Sequence, residues 1–246
     1  MLTKEGCRAR QDRLRRRLSE AKIDAIAIVH PLEVYYFTGV LFPEQFPGQP
    51  VLLWIEAAGS SWMIAHSDAG EPLVDACYTY VCSVGGTINP YMRTQVGELV
   101  AERLQALGSK ASRVGYQREF MPKILADHIE KGLGTAPEWI DMDEGLHQMQ
   151  EVKDDDEIAL IRKAIEVDLA AYTAAQKAIA PGVNELEVLG AAQQAAHLAA
   201  GEKVFHDGDY QCGQLGGFAR DRPIEEGELY IIDAWAIYRE IGRAHV

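Results

Sequence analysis

The order of helical and extended patterns in residues 4–141 constrains the fold of this chain more than any other feature of its sequence. Amphipathic helical stretches alternate with short apolar runs, as the helix near 121–132 does with the run at 138–141. This alternation is typical of an α/β domain with a largely parallel or mixed sheet. The predicted helices cover 4–21, 68–76, 90–107 and 121–132, and the predicted extended segments cover 24–29, 34–37, 51–55, 61–65, 78–83, 113–116 and 138–141.

The pattern then changes to long helices, which predicts a second domain. Lys153–Glu157 begins one helix with acidic residues, which suit the positive end of the helix dipole. Asn184 and Glu187 match a capping box that begins the next helix. We therefore predict one domain over 1–148 and a second over 149–239. The first long helix carries an apolar stripe that is typical of a buried face: Ile158, Ile161, Ile165, Leu169 and Tyr172.

Composition excludes several classes of function. The net charge of −13 argues against nucleic-acid binding, because little basic surface is available to neutralise phosphates. The sequence has no apolar run long enough to span a bilayer, so no membrane association is expected. Its 4 cysteines are scattered, without a C-x-x-C pair, which indicates reduced thiols in a cytoplasmic protein.

Asp233 stands in the middle of an apolar run that predicts a buried strand. Period-2 alternation places Ile231, Asp233 and Trp235 on one face, with Ile232 and Ala234 on the other. A buried carboxylate is costly unless it is paired, hydrogen-bonded or bound to a metal. Two interpretations of Asp233 remain open from the pattern itself: a carboxylate satisfied by a backbone N–H, or a metal ligand.

Several segments carry a resemblance to a known family when they are taken in order. Val34–Gly39 is similar to a tyrosine-x-threonine-glycine stretch, and Val152–Ala164 is similar to an entry into a catalytic domain. Pro181–Glu185 matches a Gly-x-(Thr/Asn)-Glu turn. Arg222–Glu228, followed by Ile231–Ala234, matches a turn and a strand that carry a first metal ligand. Together these segments resemble the M24 metallopeptidases, the Xaa-Pro aminopeptidase and creatinase branch with the pita-bread fold.

The resemblance covers nearly all of residues 8–239 and implies both fold and chemistry. The fold implied is a creatinase-type N-terminal α/β domain followed by a partial pita-bread (α+β) catalytic domain. The chemistry implied is hydrolysis of proline-containing peptides by a homodimer that holds two divalent ions, Mn, Co or Zn, on Asp, His and Glu side chains. Only the first of these metal ligands carries over, onto Asp233, and the others would lie beyond residue 239.

Two departures from the family pattern bear on the substrate. Asp233-Ala234-Trp235 stands where Asp-Ala-Gly is usual, so that Trp235 shares a face with the carboxylate. The family's substrate-side histidine would fall near Gly217, where this chain has none; the nearest candidate, His206, could serve only after rearrangement of the loop. Because 206–209 is rich in Asp and Gly, we interpret it as a surface turn.

These observations lead to one hypothesis and two alternatives. We expect a fragment of a dinuclear metal-dependent Xaa-Pro aminopeptidase-type hydrolase, inactive by itself and with no stably bound metal, because most ligands are missing. A creatinase-like C–N hydrolase and a non-catalytic pita-bread module that binds peptides or proteins are the alternatives. Residues 240–246 can be back-translated into the start of a common sequencing adapter apart from one base, which predicts a non-native tail.

Overall fold

The computed structural model describes residues 1–41, 49–66, 70–84, 86–213, 215–240 and 242–245. They form two compact units, one over 2–152 and one over 153–246 together with Met1. The helices are α1 (Lys4–Glu20), α2 (Pro31–Thr38), α3 (Met92–Leu107), α4 (Lys123–Leu133), α5 (Asp143–Glu151), α6 (Asp155–Ala178) and α7 (Glu185–Ala200). The strands are β1 (Ala25–Ile28), β2 (Leu52–Glu56), β3 (Ser61–His66), β4 (Ala76–Tyr80), β5 (Ser83–Val84), β6 (Thr87–Ile88), β7 (Arg113–Tyr116), β8 (Glu138–Asp141), β9 (Phe205–Cys212), β10 (Tyr230–Tyr238) and β11 (Gly242–His245).

The first unit is built on a mixed six-stranded sheet with the order β4-β3-β2-β1-β7-β8. Neighbours β1, β7 and β8 run parallel, so their carboxyl ends lie at the same edge of the sheet. All four residues of β1 are buried, as is typical of a strand covered on both faces. On one face the sheet packs against α3 and α4 through a core that includes Ala27, Trp54, Trp62, Val96, Val100, Leu104, Leu125 and Ile129.

The prediction of an extended segment at 34–37 is wrong, because these residues belong to α2. Pro31 occupies the first turn, where its fixed φ suits a helix and its missing N–H costs nothing. Gly39 ends the helix with φ of 75°, a left-handed conformation that glycine adopts without a steric penalty. Residues 34–38 are all buried, so the segment carries no amphipathic period that distinguishes helix from strand.

The helix predicted at 68–76 is also not observed in the residues that the structure describes. Residues 70–75 form no helix, β4 begins at Ala76, and 67–69 lie outside the described residues. Strand β4 pairs in parallel with β3, from Ala76 opposite Trp62 to Tyr80 opposite His66. Tertiary pairing therefore overrides the local helical pattern in this segment.

The second unit packs α6 and α7 against one face of an antiparallel sheet with the order β11-β10-β9. Its core consists mainly of small apolar residues from both helices and both longer strands, among them Val167, Ala171, Val188, Ala192, Tyr210, Ala234 and Ala236. Both predicted helix starts are capping boxes in the structure, at Asp154 with Glu157 and at Asn184 with Glu187. The backbone of 242–245, within the predicted non-native tail, forms β11 along β10.

The predicted apolar stripe on α6 is present, but its residues are half-buried or exposed within this unit. Ile165 is 41% exposed and Leu169 is 49% exposed. The buried face instead carries smaller residues such as Ala164, Ala171 and Ala175, which allow α6 to approach α7 closely. Helix α6 thus has two apolar faces, and packing selects the one with the smaller side chains. No helix in the described part of the chain is long and apolar enough to cross a membrane.

Candidate metal centre

The ladder between β9 and β10 places acidic side chains opposite one another on one face of the second sheet. Asp233 pairs with Asp209, and Trp235 pairs with Asp207. Residues directly opposite in an antiparallel ladder point to the same face, and their Cβ atoms lie about 4.5–5.5 Å apart. Like charges directly opposite in a ladder destabilise it, and a cation between the two carboxylates would offset their repulsion.

Gly208 allows the two strands to approach where these carboxylates meet. Its φ of 152° lies in a region that residues with a side chain rarely adopt. A Cβ atom at this position would lie 2.3 Å from the Asp233 carbonyl oxygen and 2.5 Å from Cα of Ala234. The interpretation of 206–209 as a surface turn is wrong, since these residues lie within β9 and pair with β10 along their whole length.

Asp233 itself is exposed, which corrects the prediction of a carboxylate in a buried strand. Helices α6 and α7 cover only the face of β10 that carries Ala234 and Ala236, which are 3% and 0% exposed. Ile231 and Trp235, on the face of Asp233, are only half-buried. The apolar character of both faces therefore does not mean that both are covered within the described residues.

An ion pair between the buried Glu185 and the half-exposed Arg220 fixes the loop that precedes β10. Glu185, the first residue of α7, is 0% exposed and accepts hydrogen bonds from Arg220 Nη2 at 2.7 Å and Arg220 Nε at 3.0 Å. It also accepts from the backbone N–H groups of Cys212 and Arg220. Burial alone would raise the pKa of Glu185, but these donors lower it to about 2. Sequence reasoning found the motif that contains Glu185 but not this role for its side chain.

His206 lies on the opposite face of β9 from Asp209, among the side chains that α6 and α7 cover. It is 3% exposed; its Nδ1 lies 3.4 Å from Asp168 Oδ1, and its Nε2 lies 2.7 Å from Tyr210 Oη. Because successive residues of a strand point to opposite faces, His206 does not share the face of Asp233. The structure thus does not bring His206 to the candidate metal centre.

Burial gives His206 a measurable effect on stability. Loss of solvation lowers the pKa of its imidazole from 6.5 to about 4, against the opposing charge of Asp207. The unfolded state therefore takes up a proton first as the pH falls, so stability is full above about pH 6.5 and is lost towards pH 4. Between pH 7 and pH 5 we therefore expect unfolding by urea to become easier as the pH falls. His206→Gln should flatten this dependence, and an unchanged slope in that variant would contradict the assignment.

Another group of possible metal ligands lies at the start of α6. Among the described residues, Asp154, Asp156 and Glu157 are the three acidic side chains whose ligand atoms all lie within 4.8 Å of one another. Asp154 and Glu157 form the capping box of the helix, with the Asp154 N–H donating to Glu157 at 2.9 Å. Stabilisation of the helix start accounts for this group without an ion.

Two family models match the chain in the order of its two units. The Creatinase/Prolidase N-terminal domain matches residues 10–152, and Metallopeptidase family M24 matches residues 159–243. Fold and matches together define the class: a creatinase/prolidase N-terminal domain followed by a segment that is similar to a metallopeptidase family. The chain belongs to the family of proteins that carry a Creatinase/Prolidase N-terminal domain, and the segment that follows this domain is similar to Metallopeptidase family M24.

Curated relatives and a solved structure agree with this assignment. The chain is 24% identical over 233 residues to the Xaa-Pro dipeptidase of Pyrococcus furiosus, which covers 93% of this chain and 61% of the relative. It is 31% identical over 142 residues to the Xaa-Pro dipeptidase of Pyrococcus horikoshii, which covers 56% of this chain and 38% of the relative. The structure of X-Pro aminopeptidase from Thermotoga maritima has a TM-score of 0.72 at 22% identity, over 96% of this chain and 63% of that one.

The comparisons confirm the predicted fold class. A creatinase-type N-terminal α/β domain is followed by part of a pita-bread domain. The chain spans 61% of the length of the Pyrococcus furiosus relative, and the M24 match includes β10 with Asp233.

Proposed function

We propose that this chain is part of a dinuclear metal-dependent hydrolase that removes an N-terminal residue preceding proline, and that Asp233 supplies one of its metal ligands. The observation that carries the proposal is the exposed, mid-strand position of Asp233 directly opposite Asp209, in a segment that matches the M24 family. The names of the curated relatives, both Xaa-Pro dipeptidases, support the substrate class.

The side chains on this face fit a hard divalent cation. Carboxylate oxygens are ligands that suit Mn²⁺, Co²⁺ or Zn²⁺ in hydrolytic sites, and Asp233 and Asp209 present them from adjacent strands. A cation between the two carboxylates also relieves their mutual repulsion. Buried side chains on the other face that could bind a metal, such as His206, cannot contribute to the same site without rearrangement of β9.

The bound metals would supply an activated water and polarise the scissile carbonyl. The chain's own contribution is to hold Asp233 at a fixed place on a rigid strand, with Trp235 as a wall beside it. The Glu185–Arg220 pair fixes the loop after β9, next to the same strand. Because the described residues offer few ligands on this face, we expect the 246-residue chain by itself to hydrolyse no Xaa-Pro dipeptide.

Manganese binding to the chain tests the role of Asp233. On titration of the ¹⁵N-labelled protein with Mn²⁺, paramagnetic broadening should reach the amide signals of residues 207–211 and 231–235 first, since the ion lies between the two carboxylates. Asp233→Asn should abolish this local broadening. Glu226→Gln, which removes an exposed carboxylate in the same unit, should leave it unchanged. Broadening centred on residues 154–157, with none at 231–235, would argue against the proposed ligand.

The organisation of the protein is also a proposal. We place the domain boundary between residues 148 and 149, a few residues before the first compact unit ends in the sequence at Val152. We propose a homodimer in a reducing cytoplasm. The four cysteines are all free thiols, which suits that compartment.

A further inference from the structure

A polar cavity of about 300 Å³ opens at one edge of the first sheet. It lies beyond the carboxyl ends of the parallel strands β1, β7 and β8, because its walls come from the segments that follow each of them. Ligands of open α/β sheets bind in crevices at this edge, and the volume is that of a small-molecule site. The residues around the cavity are Glu33, Gln117, Glu119, Phe120, Asp143, Glu144, Leu146, His147 and Gln150.

The cavity carries a strong negative charge. Four carboxylates line it, from Glu33, Glu119, Asp143 and Glu144. Burial alone would raise the pKa of Glu33, but its hydrogen bond with His30 and the charge of that imidazole hold the pKa below its ordinary value. Glu33 therefore stays ionised at neutral pH, and the cavity favours a cation.

Gln117 adds a hydrogen-bond donor whose direction is fixed. Its side chain is 2% exposed, and its Oε1 accepts from the backbone N–H groups of Val29 at 2.7 Å and His30 at 2.9 Å. Because both partners are donors, the amide cannot be flipped, and the nitrogen must be at the other position. Within the described chain no residue accepts a hydrogen bond from this nitrogen, and Gln117 lines the cavity.

The walls also provide apolar surface for an organic ligand. Phe120 is 45% exposed, and its ring centroid lies 4.1 Å from that of His30. Leu146 closes another side. The carboxylates are spread around the cavity, and no group of three of them meets the spacing of a metal site among the described residues. A metal ion therefore fits this cavity less well than a cation that is several atoms long.

We propose that this cavity binds a small organic cation, an amine or guanidinium that also carries a carbonyl oxygen. The carboxylates receive the charged group, the Phe120 ring covers its stem, and the Gln117 amide donates to the carbonyl oxygen. This site is formed by other residues than the candidate metal centre, and the proposal does not depend on the proposed hydrolase activity.

Three probes separate the features of this ligand in titration calorimetry with the 246-residue chain. Nα-acetyl-arginine amide has both the cation and the carbonyl oxygens, and should bind with a Kd of about 0.1–1 mM. Nα-acetyl-norleucine amide lacks the cation and should show no binding. Propylguanidinium lacks the carbonyl and should bind more weakly than the arginine amide. Equal binding of the norleucine and arginine probes, or no binding of any probe, would overturn the proposal.

Matched variants assign the contacts. Gln117→Glu keeps an oxygen for Val29 and His30 but removes the donor, so it should erase the preference for the arginine amide over propylguanidinium. Asp143→Asn combined with Glu144→Gln should weaken the binding of both cationic probes about five-fold. Glu98→Gln, an exposed carboxylate on α3 outside the cavity, should change neither. If Gln117→Glu keeps the full preference, or if Glu98→Gln weakens binding as much as the cavity variants do, the assignment is wrong.

Chemical-shift changes at residues 117 and 143 in the wild type provide a test that does not depend on the folding of any variant.

Discussion

Replacing Gly208 by alanine is expected to separate β9 from β10 and to remove the candidate metal centre. The new Cβ atom would lie 2.3 Å from the backbone oxygen of Asp233, and the φ of 152° is strained for alanine. Backbone strain and overpacking each cost about 1–3 kcal/mol, so we expect a loss of about 3 kcal/mol or more in the free energy of unfolding. Hydrogen exchange of the β9 and β10 amides, followed by NMR, measures this directly.

Gly190→Ala is the matched control for this change. Gly190 lies at an exposed position within α7, and a Cβ atom there would meet nothing within 4 Å. Because alanine is a better helix former than glycine, the free energy of unfolding of this variant should increase by about 0.5–1 kcal/mol. If the two variants lose stability equally, or if Gly208→Ala retains the protection of β9, the close approach at Gly208 is not the cause.

Replacing Arg220 by methionine is expected to destabilise the second unit by about 2 kcal/mol. The substitution leaves the Glu185 carboxylate, which is 0% exposed, without its charged partner. The loss is costly because the charge of Glu185 remains desolvated, although water already screens the half-exposed Arg220 in part. The backbone N–H groups of Cys212 and residue 220 still donate to Glu185, which keeps the expected loss below the range for fully buried pairs.

Urea unfolding of this variant is best compared with that of Lys163→Met. Lys163 pairs with Glu166 on the exposed side of α6, and such surface pairs contribute about 0–1 kcal/mol. In Arg220→Met the amide of Cys212 should also exchange faster, because it donates to the carboxylate that loses its partner. Similar unfolding of the two variants would mean that the Glu185–Arg220 pair is not the main link between α7 and the loop before β10.

Much of the fold follows from local patterns that packing reinforces. The strands at 113–116 and 138–141 lie where the sequence predicts them, and the helix that Asn184 caps begins where its capping box indicates. In these segments the local preference and the tertiary environment favour the same structure. The family resemblance then supplied the order of the two domains.

Other features depend on contacts that a single sequence does not reveal. Residues 34–37 are buried throughout, so their pattern fits helix and strand equally well. The Gly208 segment resembles a turn until its pairing with β10 is known, and only that pairing places Asp209 opposite Asp233. The sequence singled out Asp233, but not its exposed position. Gln117 gave no signal at all, because its importance comes from two backbone N–H groups that lie far from it in sequence.

The most direct test of the proposed function is hydrolysis of an alanyl-proline dipeptide by the protein of the whole reading frame that contains this chain. With Mn²⁺ supplied, we expect hydrolysis that depends on the metal. Asp233→Asn should reduce kcat/KM by more than about 100-fold, because loss of a group that only hydrogen-bonds to a metal ligand already costs up to about 100-fold. Glu226→Gln should leave kcat/KM unchanged. Metal-dependent hydrolysis that survives Asp233→Asn would show that Asp233 is not a ligand. Absence of hydrolysis in the wild type, with Mn²⁺, Co²⁺ or Zn²⁺, would contradict the assignment of an Xaa-Pro hydrolase.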